Sequence, residues 1–148
     1  MNRLWLFLHL LGFVMWMGGG LASMVAGIAA KPESRGGLGA VVRAQSAIQR
    51  SIIAPGALLT VLSGLMLTFA LAGMAGGSAW LMVMQGAGLV AALITLFVAL
   101  PTATRLSRLD PTADQAAYFD ELRNRQKVVG MISGVLMLLA LVGGTLVR

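Results

Sequence analysis

The chain has 148 residues, of which 58% are hydrophobic and 11% are charged, and its formal net charge is +6. Every charged residue lies outside four long apolar runs, which cover about residues 4–30, 52–74, 79–100 and 128–147. A run of about 20 apolar residues is long enough to cross the bilayer hydrocarbon as a helix. We therefore predict a single all-α membrane domain over residues 1–148, a four-transmembrane-helix bundle with two partly helical loops and little length left for a soluble domain.

The basic residues flank the apolar runs, which indicates a role in membrane topology and in contacts with anionic lipid rather than nucleic-acid binding. The two long loops carry Lys31, Arg35, Arg43, Arg50, Arg105, Arg108, Arg123, Arg125 and Lys127. The opposite side carries Arg3 and Arg148. The positive-inside rule then predicts that both loops are cytoplasmic and both termini lie outside, in a multi-pass protein of the cell inner membrane.

Several function classes conflict with this composition. The apolar runs contain no carboxylate, lysine or arginine side chain, whereas pumps, ion-coupled transporters and voltage sensors normally need intramembrane charge. The chain has no cysteine, which excludes disulfides, thiolate metal sites and cysteine nucleophiles. It also has no HExxH motif, so the zinc-protease pattern is absent.

In chain order, the first run is too long for the apolar core of a signal peptide, and we predict that it is a retained helix. The loop that follows is amphipathic over its second half. This pattern indicates either a helix on the inner membrane surface or an extension of the second transmembrane helix, which Pro55 kinks or starts. In the second loop, Asp110 is predicted to cap a helix that opens at Pro111. Glu121 and Arg125 have the i, i+4 spacing of an ion pair.

Small residues recur at helical spacing in every run, as expected where membrane helices pack closely. They are Gly19, Ser23 and Gly27; Gly56, Thr60, Gly64, Thr68 and Ala72; Ala87, Ala91, Thr95 and Ala99; and Gly130, Gly134, Ala140 and Gly144. These stripes predict a compact bundle, although some of them could instead form contacts in a homo-oligomer or with a partner in a membrane complex.

The polar residues of the outer half of the membrane are the candidate site. His9, the only histidine, lies about five residues into the first run, and Gln85 lies at a matching depth in the third. Met66 and Met84 are predicted in the same layer. Imidazole and thioether groups are ligands for haem iron and for copper(I). The competing interpretation is that His9 only makes a hydrogen bond to a neighbouring helix, to a residue such as Gln85 or Thr68.

One face of the first helix offers further groups for a flat cofactor. His9, Phe13 and Trp16 fall near this face, and Gly12 leaves space beside it. These side chains could form the wall of a haem site with His9 as its metal ligand. Arg3 and Arg148, on the same side of the membrane, could pair with the propionates of a haem.

The first two helices resemble a known group. The segment Trp5-Leu-Phe-Leu-His9-Leu-Leu-Gly12-Phe-Val-Met-Trp16-Met-Gly18-Gly19 looks like the first helix of the copper-resistance protein D superfamily. The segment Ile53-Ala-Pro55-Gly56-Ala-Leu-Leu-Thr-Val-Leu-Ser63-Gly64-Leu resembles the next helix of that superfamily. The most similar branch in length is its small, uncharacterised four-helix membrane proteins.

The superfamily also contains the HemJ-type protoporphyrinogen oxidases, which bind b-type haem. The resemblance implies that His9 corresponds to the histidine of their first helix. Their tyrosine-leucine-proline-arginine stretch is replaced here by Gly18-Gly19-Gly20-Leu21. This difference separates the chain from that branch.

The function expected from these observations is binding of haem b or a related redox centre near the outer leaflet, for electron transfer or membrane oxidoreduction. His9 would be the axial ligand, and Met66, Met84 and Gln85 are candidates for the second. Two alternatives stay open: a non-catalytic accessory subunit of a larger membrane complex, and copper handling in the cell envelope.

Overall fold

A computed structural model describes residues 2–71, 79–112 and 114–146. Its helices are α1 (Asn2–Ala29), α2 (Arg35–Ile48), α3 (Ala54–Leu71), α4 (Ala79–Ile94), α5 (Leu100–Leu106) and α6 (Ala116–Leu146). Four continuous stretches of helix are long and apolar enough to cross a membrane: Arg3–Ala29, Arg35–Ala70, Ala79–Leu106 and Ala116–Leu146. The prediction of an all-α, four-span bundle is confirmed. The predicted connection 75–78, Ala72 and Arg148 lie outside the described residues.

Two π-helical turns, which we call the wide turns, join helices end to end. We call each of the four continuous stretches of helix a rod. The first wide turn (Gln49–Ile53) joins α2 to α3, and the second (Thr95–Ala99) joins α4 to α5. In each turn, a backbone N–H donates a hydrogen bond to the carbonyl five residues earlier. The Ala54 N–H donates to the Gln49 carbonyl, and the Leu100 N–H donates to the Thr95 carbonyl. A proline stands two residues beyond each turn, at Pro55 and Pro101. Proline lacks the N–H that would continue the normal α-helical bonding, so both irregular turns lie where that bonding is already interrupted.

The bundle consists of two tightly packed helix pairs, α1 with α3 and α4 with α6. The α1–α3 pair crosses at two glycines. A Cβ added at Gly12 would lie 2.7 Å from the Thr60 backbone nitrogen, and one added at Gly56 would lie 2.7 Å from the Trp16 nitrogen. Since lipid tails give no hydrophobic drive for association, such close backbone contact is a main source of helix affinity in a bilayer.

Two apolar clusters form the core. The membrane cluster joins the pairs through Trp16, Ile53, Ala57, Ala91, Ala92 and Met137. The inner cluster lies at the loop end of the bundle and contains Val42, Leu106, Phe119 and Leu122. Phe119 is fully buried there. The loop ends of α2, α5 and α6 are therefore packed against one another.

Both loops are more helical than the apolar runs alone predict. The second rod begins at Arg35, so the extension of the second transmembrane helix is the correct alternative for the first loop. The Ser34 side chain caps this helix by accepting a hydrogen bond from the Gly37 N–H at 3.4 Å. The last helix begins at Ala116, about three turns before the predicted residue 128.

Two predictions for the second loop are wrong. Asp110 does not cap a helix that opens at Pro111, because residues 111–112 form a turn and the helix begins only at Ala116. Its carboxylate accepts hydrogen bonds from the Thr112 N–H at 2.8 Å and the Thr112 hydroxyl at 2.7 Å. The side chain closes a local turn instead, as aspartate often does. Glu121 and Arg125 do not pair; the ion pair among the described residues joins Arg35 and Asp120 at 3.0 Å across the two loops.

The small-residue stripes divide into two groups. Gly27 faces Gln45, and Gly144 faces the Met84 side chain, so these glycines allow close contact within the bundle. Gly143, which was not among the predicted stripe residues, faces the α4 backbone at Met84. Gly130 and Gly134, the GxxxG pair, have nothing within 4 Å of an added Cβ. This pair therefore does not contribute to packing among the described residues.

Candidate functional site

His9 is held in one orientation by α3. Its Nδ1 lies 2.9 Å from the Thr60 carbonyl oxygen and 3.4 Å from Ser63 Oγ. A carbonyl can only accept a hydrogen bond, so Nδ1 carries a proton, and in the neutral ring Nε2 has the lone pair. Gly64 makes room for the ring, because a Cβ at this position would lie 3.1 Å from the imidazole Cε1. The imidazole is therefore fixed in both tautomer and orientation.

Trp16 is the centre of a second polar contact. Its side chain is buried, and its indole N–H donates to Thr95 Oγ1 at 3.2 Å. The same oxygen lies 3.1 Å from Ser133 Oγ, and either hydroxyl can donate in that bond. The relay links α1, the second wide turn and α6, and it thereby ties the two helix pairs together at the middle of the bundle.

The other predicted site residues lie in different parts of the bundle. Gln85 donates to Thr68 Oγ1 at 2.8 Å, which confirms that these two residues share a layer and joins α4 to α3. Met84 packs against α6, where a Cβ at Gly144 would lie 3.0 Å from its sulfur. Met66 is 44% exposed on α3. The described hydrogen bonds join His9 to Thr60 and Ser63 and Gln85 to Thr68, and none joins His9 to Gln85.

The space predicted for a flat macrocycle is occupied by protein. Gly12 is pressed against α3, with Thr60 Oγ1 at 2.7 Å and the Gly56 carbonyl at 2.8 Å from an added Cβ. Trp16 is buried, and Phe13 packs against the membrane cluster. A haem does not fit between these side chains. The part of the predicted site that does fit an axial ligand is the His9 imidazole, whose Nε2 makes no hydrogen bond to any described residue.

A polar layer separates the two apolar clusters. Ser46 and Gln49 are buried on the rod between Val42 of the inner cluster and Ile53 of the membrane cluster. Gln45 Nε2 donates to the Ser23 carbonyl oxygen at 2.7 Å, which ties α2 to α1. Four buried polar atoms have no hydrogen-bond partner among the described residues: Ser23 Oγ, Ser46 Oγ, Gln49 Nε2 and Gln126 Oε1. Buried polar atoms of this kind commonly bond to ordered water.

Sequence reasoning missed the role of most of these residues. Thr95 was named only as a small packing residue, and Ser133 and Gln49 were not singled out. The available signal was the presence of hydroxyl and amide side chains at positions that face the bundle, since a polar group in a membrane interior needs a partner. Which helices supply those partners depends on the pairing of α1 with α3 and of α4 with α6.

Comparison with known proteins agrees with the membrane architecture. A family model described as "Predicted integral membrane protein (DUF2269)" matches residues 3–146. No curated protein and no solved structure matches the chain. The match covers all of the described helices except Asn2, the first residue of α1, and it supports a small membrane protein family without assigning an activity.

Proposed function

The chain belongs to the DUF2269 family of predicted integral membrane proteins, and on that premise we propose that it is a non-catalytic subunit of a larger membrane complex. The supporting observation is that polar side chains inside the spans make hydrogen bonds between helices. His9, Trp16 and Gln85 each make a hydrogen bond to another helix. These bonds hold the bundle together, so the groups most suited to chemistry have structural partners.

The outer surface suits contact with lipid or with another membrane protein. Large apolar side chains are exposed on every rod, including Val14 at 65%, Phe69 at 73%, Met82 at 71% and Val135 at 58%. Small residues on such a surface permit close approach of a partner helix. The bundle thus combines a packed interior with an extended apolar exterior.

The test is purification from native membranes in a mild detergent, followed by a quantitative protein ratio and a visible absorption spectrum. A membrane partner in fixed stoichiometry, with a colourless preparation, is the result expected for a subunit. The partner should remain bound to His9→Asn, because Asn can still donate to the Thr60 carbonyl. A monodisperse preparation of this chain alone would contradict the proposal.

A second candidate function is axial ligation of haem b, or of another metal centre, through His9. The observation that favours it is the hydrogen bond from Nδ1 to the Thr60 carbonyl. Metal-binding histidines commonly make such a bond with one ring nitrogen and coordinate through the other. His9 Nε2 would be the ligand, at the outside of the α1–α3 pair or shared with a partner, since the interior beside Gly12 is filled. When bound, haem would supply one-electron chemistry.

This candidate is tested by the spectrum of protein expressed with haem available. A Soret band that disappears in His9→Ala, and returns when imidazole is added, is the expected result for an axial ligand. His9→Asn serves as the control for folding, because it should also lose the band while preserving the α1–α3 contact. Full haem content in His9→Ala would exclude the assignment.

A further inference from the structure

A groove of about 270 Å³ opens on the loop side of the bundle, between the rod formed by α4, the second wide turn and α5 and the start of α6. Its lining residues are Phe97, Val98, Pro101, Thr102, Arg105, Tyr118, Glu121, Leu122 and Arg125. One wall is the second wide turn with α5, and the other is the first three turns of α6. The groove is distinct from the region around His9.

The groove changes from apolar to charged along its length. Phe97 is 73% exposed on the membrane side. Arg105 lies eight residues further along the helical rod, which corresponds to about 12 Å towards the loops. On α6, Arg125 precedes the apolar sequence that begins at Val128. The groove therefore extends from the hydrocarbon to the level of the lipid headgroups.

Its polar groups are free to bind a ligand. Arg105, Arg125, Glu121 and Tyr118 are exposed, and none of them makes a side-chain hydrogen bond or an ion pair with another described residue. Two guanidinium groups and one carboxylate give the groove a net charge of +1. By contrast, Arg35 on the other loop is already paired with Asp120.

We propose that this groove binds one monoanionic phospholipid. The Arg105 and Arg125 guanidinium groups would hold the phosphate, since their planar forks match phosphate oxygens. Glu121 would accept a hydrogen bond from a headgroup hydroxyl, Tyr118 would lie at the interface where tyrosine is enriched, and an acyl chain would run along Phe97 and Pro101. A phosphoglycerol headgroup has both the single negative charge, on its phosphate, and the hydroxyl groups that this arrangement requires.

The proposal is tested by native mass spectrometry of the detergent-purified chain with phosphatidylglycerol or phosphatidylethanolamine of identical acyl chains. We expect one retained phosphatidylglycerol and weaker retention of the zwitterionic lipid. This comparison needs no variant. Equal retention of both lipids, or no retained lipid, would overturn the proposal.

The site is localised with R105Q/R125Q against the matched control R50Q/R123Q, which removes the same charge from the same side outside the groove. A basic residue near an anionic surface contributes a factor of roughly five, so the groove variant should bind phosphatidylglycerol roughly 25-fold more weakly. The control should bind like the wild type. Equal loss in both would show general surface attraction, and displacement of the lipid by inorganic phosphate would show a free-phosphate site; either outcome would overturn the proposal.

Discussion

At the scale of single residues, the glycine crossing of α1 and α3 is a close contact between two helix backbones. A Cβ at Gly12 would meet the Thr60 nitrogen at 2.7 Å and the Gly56 carbonyl at 2.8 Å. Backbone atoms in two packed helices cannot move aside as a flexible side chain can. We expect Gly12→Ala to lower the free energy of unfolding in detergent by about 1–3 kcal/mol, because it overpacks this contact.

Gly18 provides the matched control on the same helix. Nothing lies within 4 Å of a Cβ added at Gly18. Gly18→Ala should change stability by no more than about 0.5 kcal/mol, or stabilise slightly, since alanine is the better helix former. If Gly12→Ala were as mild as Gly18→Ala, the tight crossing would be refuted.

Asp110 gives a prediction about pH. The Thr112 hydroxyl, and then the Thr112 backbone N–H, donate to its carboxylate and hold the Asp110 pKa below its ordinary value of 3.8. A lowered pKa means that the ionised group stabilises the turn above its ordinary pKa, and that this stabilisation is lost as the pH falls through the lowered value. Thr112→Val should raise the pKa in an NMR titration of the carboxyl carbon.

The matched variant is Thr112→Ser, which keeps both donors and should leave the titration of Asp110 where it is in the wild type. An unchanged pKa in Thr112→Val would show that the hydroxyl does not interact with the carboxylate in solution.

The sequence could place His9 near the N-terminal end of the first span but could not identify its partner. Hydropathy predicts where a run ends only to within about a turn, and Gln85 and Thr68 are the hydrogen-bond partners that it suggests. The actual partner is Thr60, about two turns before Thr68 on α3, because the glycine crossing sets the register of α1 on α3. A backbone carbonyl acceptor has no sequence signature at all.

At the scale of helices, the relay from Trp16 through Thr95 to Ser133 joins three of the four rods. Thr95→Val has a similar shape but removes the central oxygen, which leaves the buried indole N–H without a partner. We expect a loss of about 1–2 kcal/mol in the free energy of unfolding, since membrane hydrogen bonds are individually modest.

A double-mutant cycle separates the hydrogen bond from the packing of the ring. Trp16→Phe and Thr95→Val should together cost less than the sum of their separate effects, because each removes one end of the same bond. Additive costs would show that the indole and the hydroxyl do not interact. Thr68→Val is a useful comparison, since it breaks a hydrogen bond whose partner, Gln85, is exposed.

The presence of four membrane-spanning helices was predictable from the sequence. Their lengths and their irregular turns were only partly predictable. Long apolar runs predict spans because each needs about 20 residues. The extensions 35–51 and 116–127 are polar or amphipathic, and their helicity depends on packing around Val42, Phe119 and Leu122. Pro55 and Pro101 were visible in the sequence, but a proline predicts only an interruption of the bonding and not the π-helical form that it takes here.

At the scale of the whole molecule, the uneven distribution of basic residues predicts that both loops face the cytoplasm. The cysteine-free sequence allows a direct test with single cysteines. On intact cells, a membrane-impermeant maleimide should label Thr145→Cys, at the end of α6, and should leave Gly36→Cys unlabelled. Membrane permeabilisation should expose Gly36→Cys.

Labelling of Gly36→Cys alone on intact cells would reverse the predicted orientation. Labelling of both positions would contradict the four-span topology. The unmodified chain is the internal control, because it has no cysteine to label.

The overall architecture was the most predictable level, since four apolar runs and charged loops leave few alternatives for a chain of this length. The grouping of rods into α1–α3 and α4–α6 pairs was not predictable, because small residues occur on several faces. Gly130 and Gly134 carry the usual spacing of a packing motif and yet meet no described residue. Spacing alone therefore did not reveal which surfaces pack.

The wide turns also affect how the gene can change in length. Each contains one more residue per hydrogen-bonded turn than an α-helix, so the turn accommodates one extra residue without rotating the helix on either side. Deleting one residue from 49–53 would therefore restore ordinary α-helix and leave Val42 and Ser46 facing the interior. Deleting one residue from the regular helix at 43–45 would instead rotate the part of α2 before it by about 100° relative to α3. Single-codon deletions should consequently be better tolerated inside the two wide turns than in the regular helices beside them.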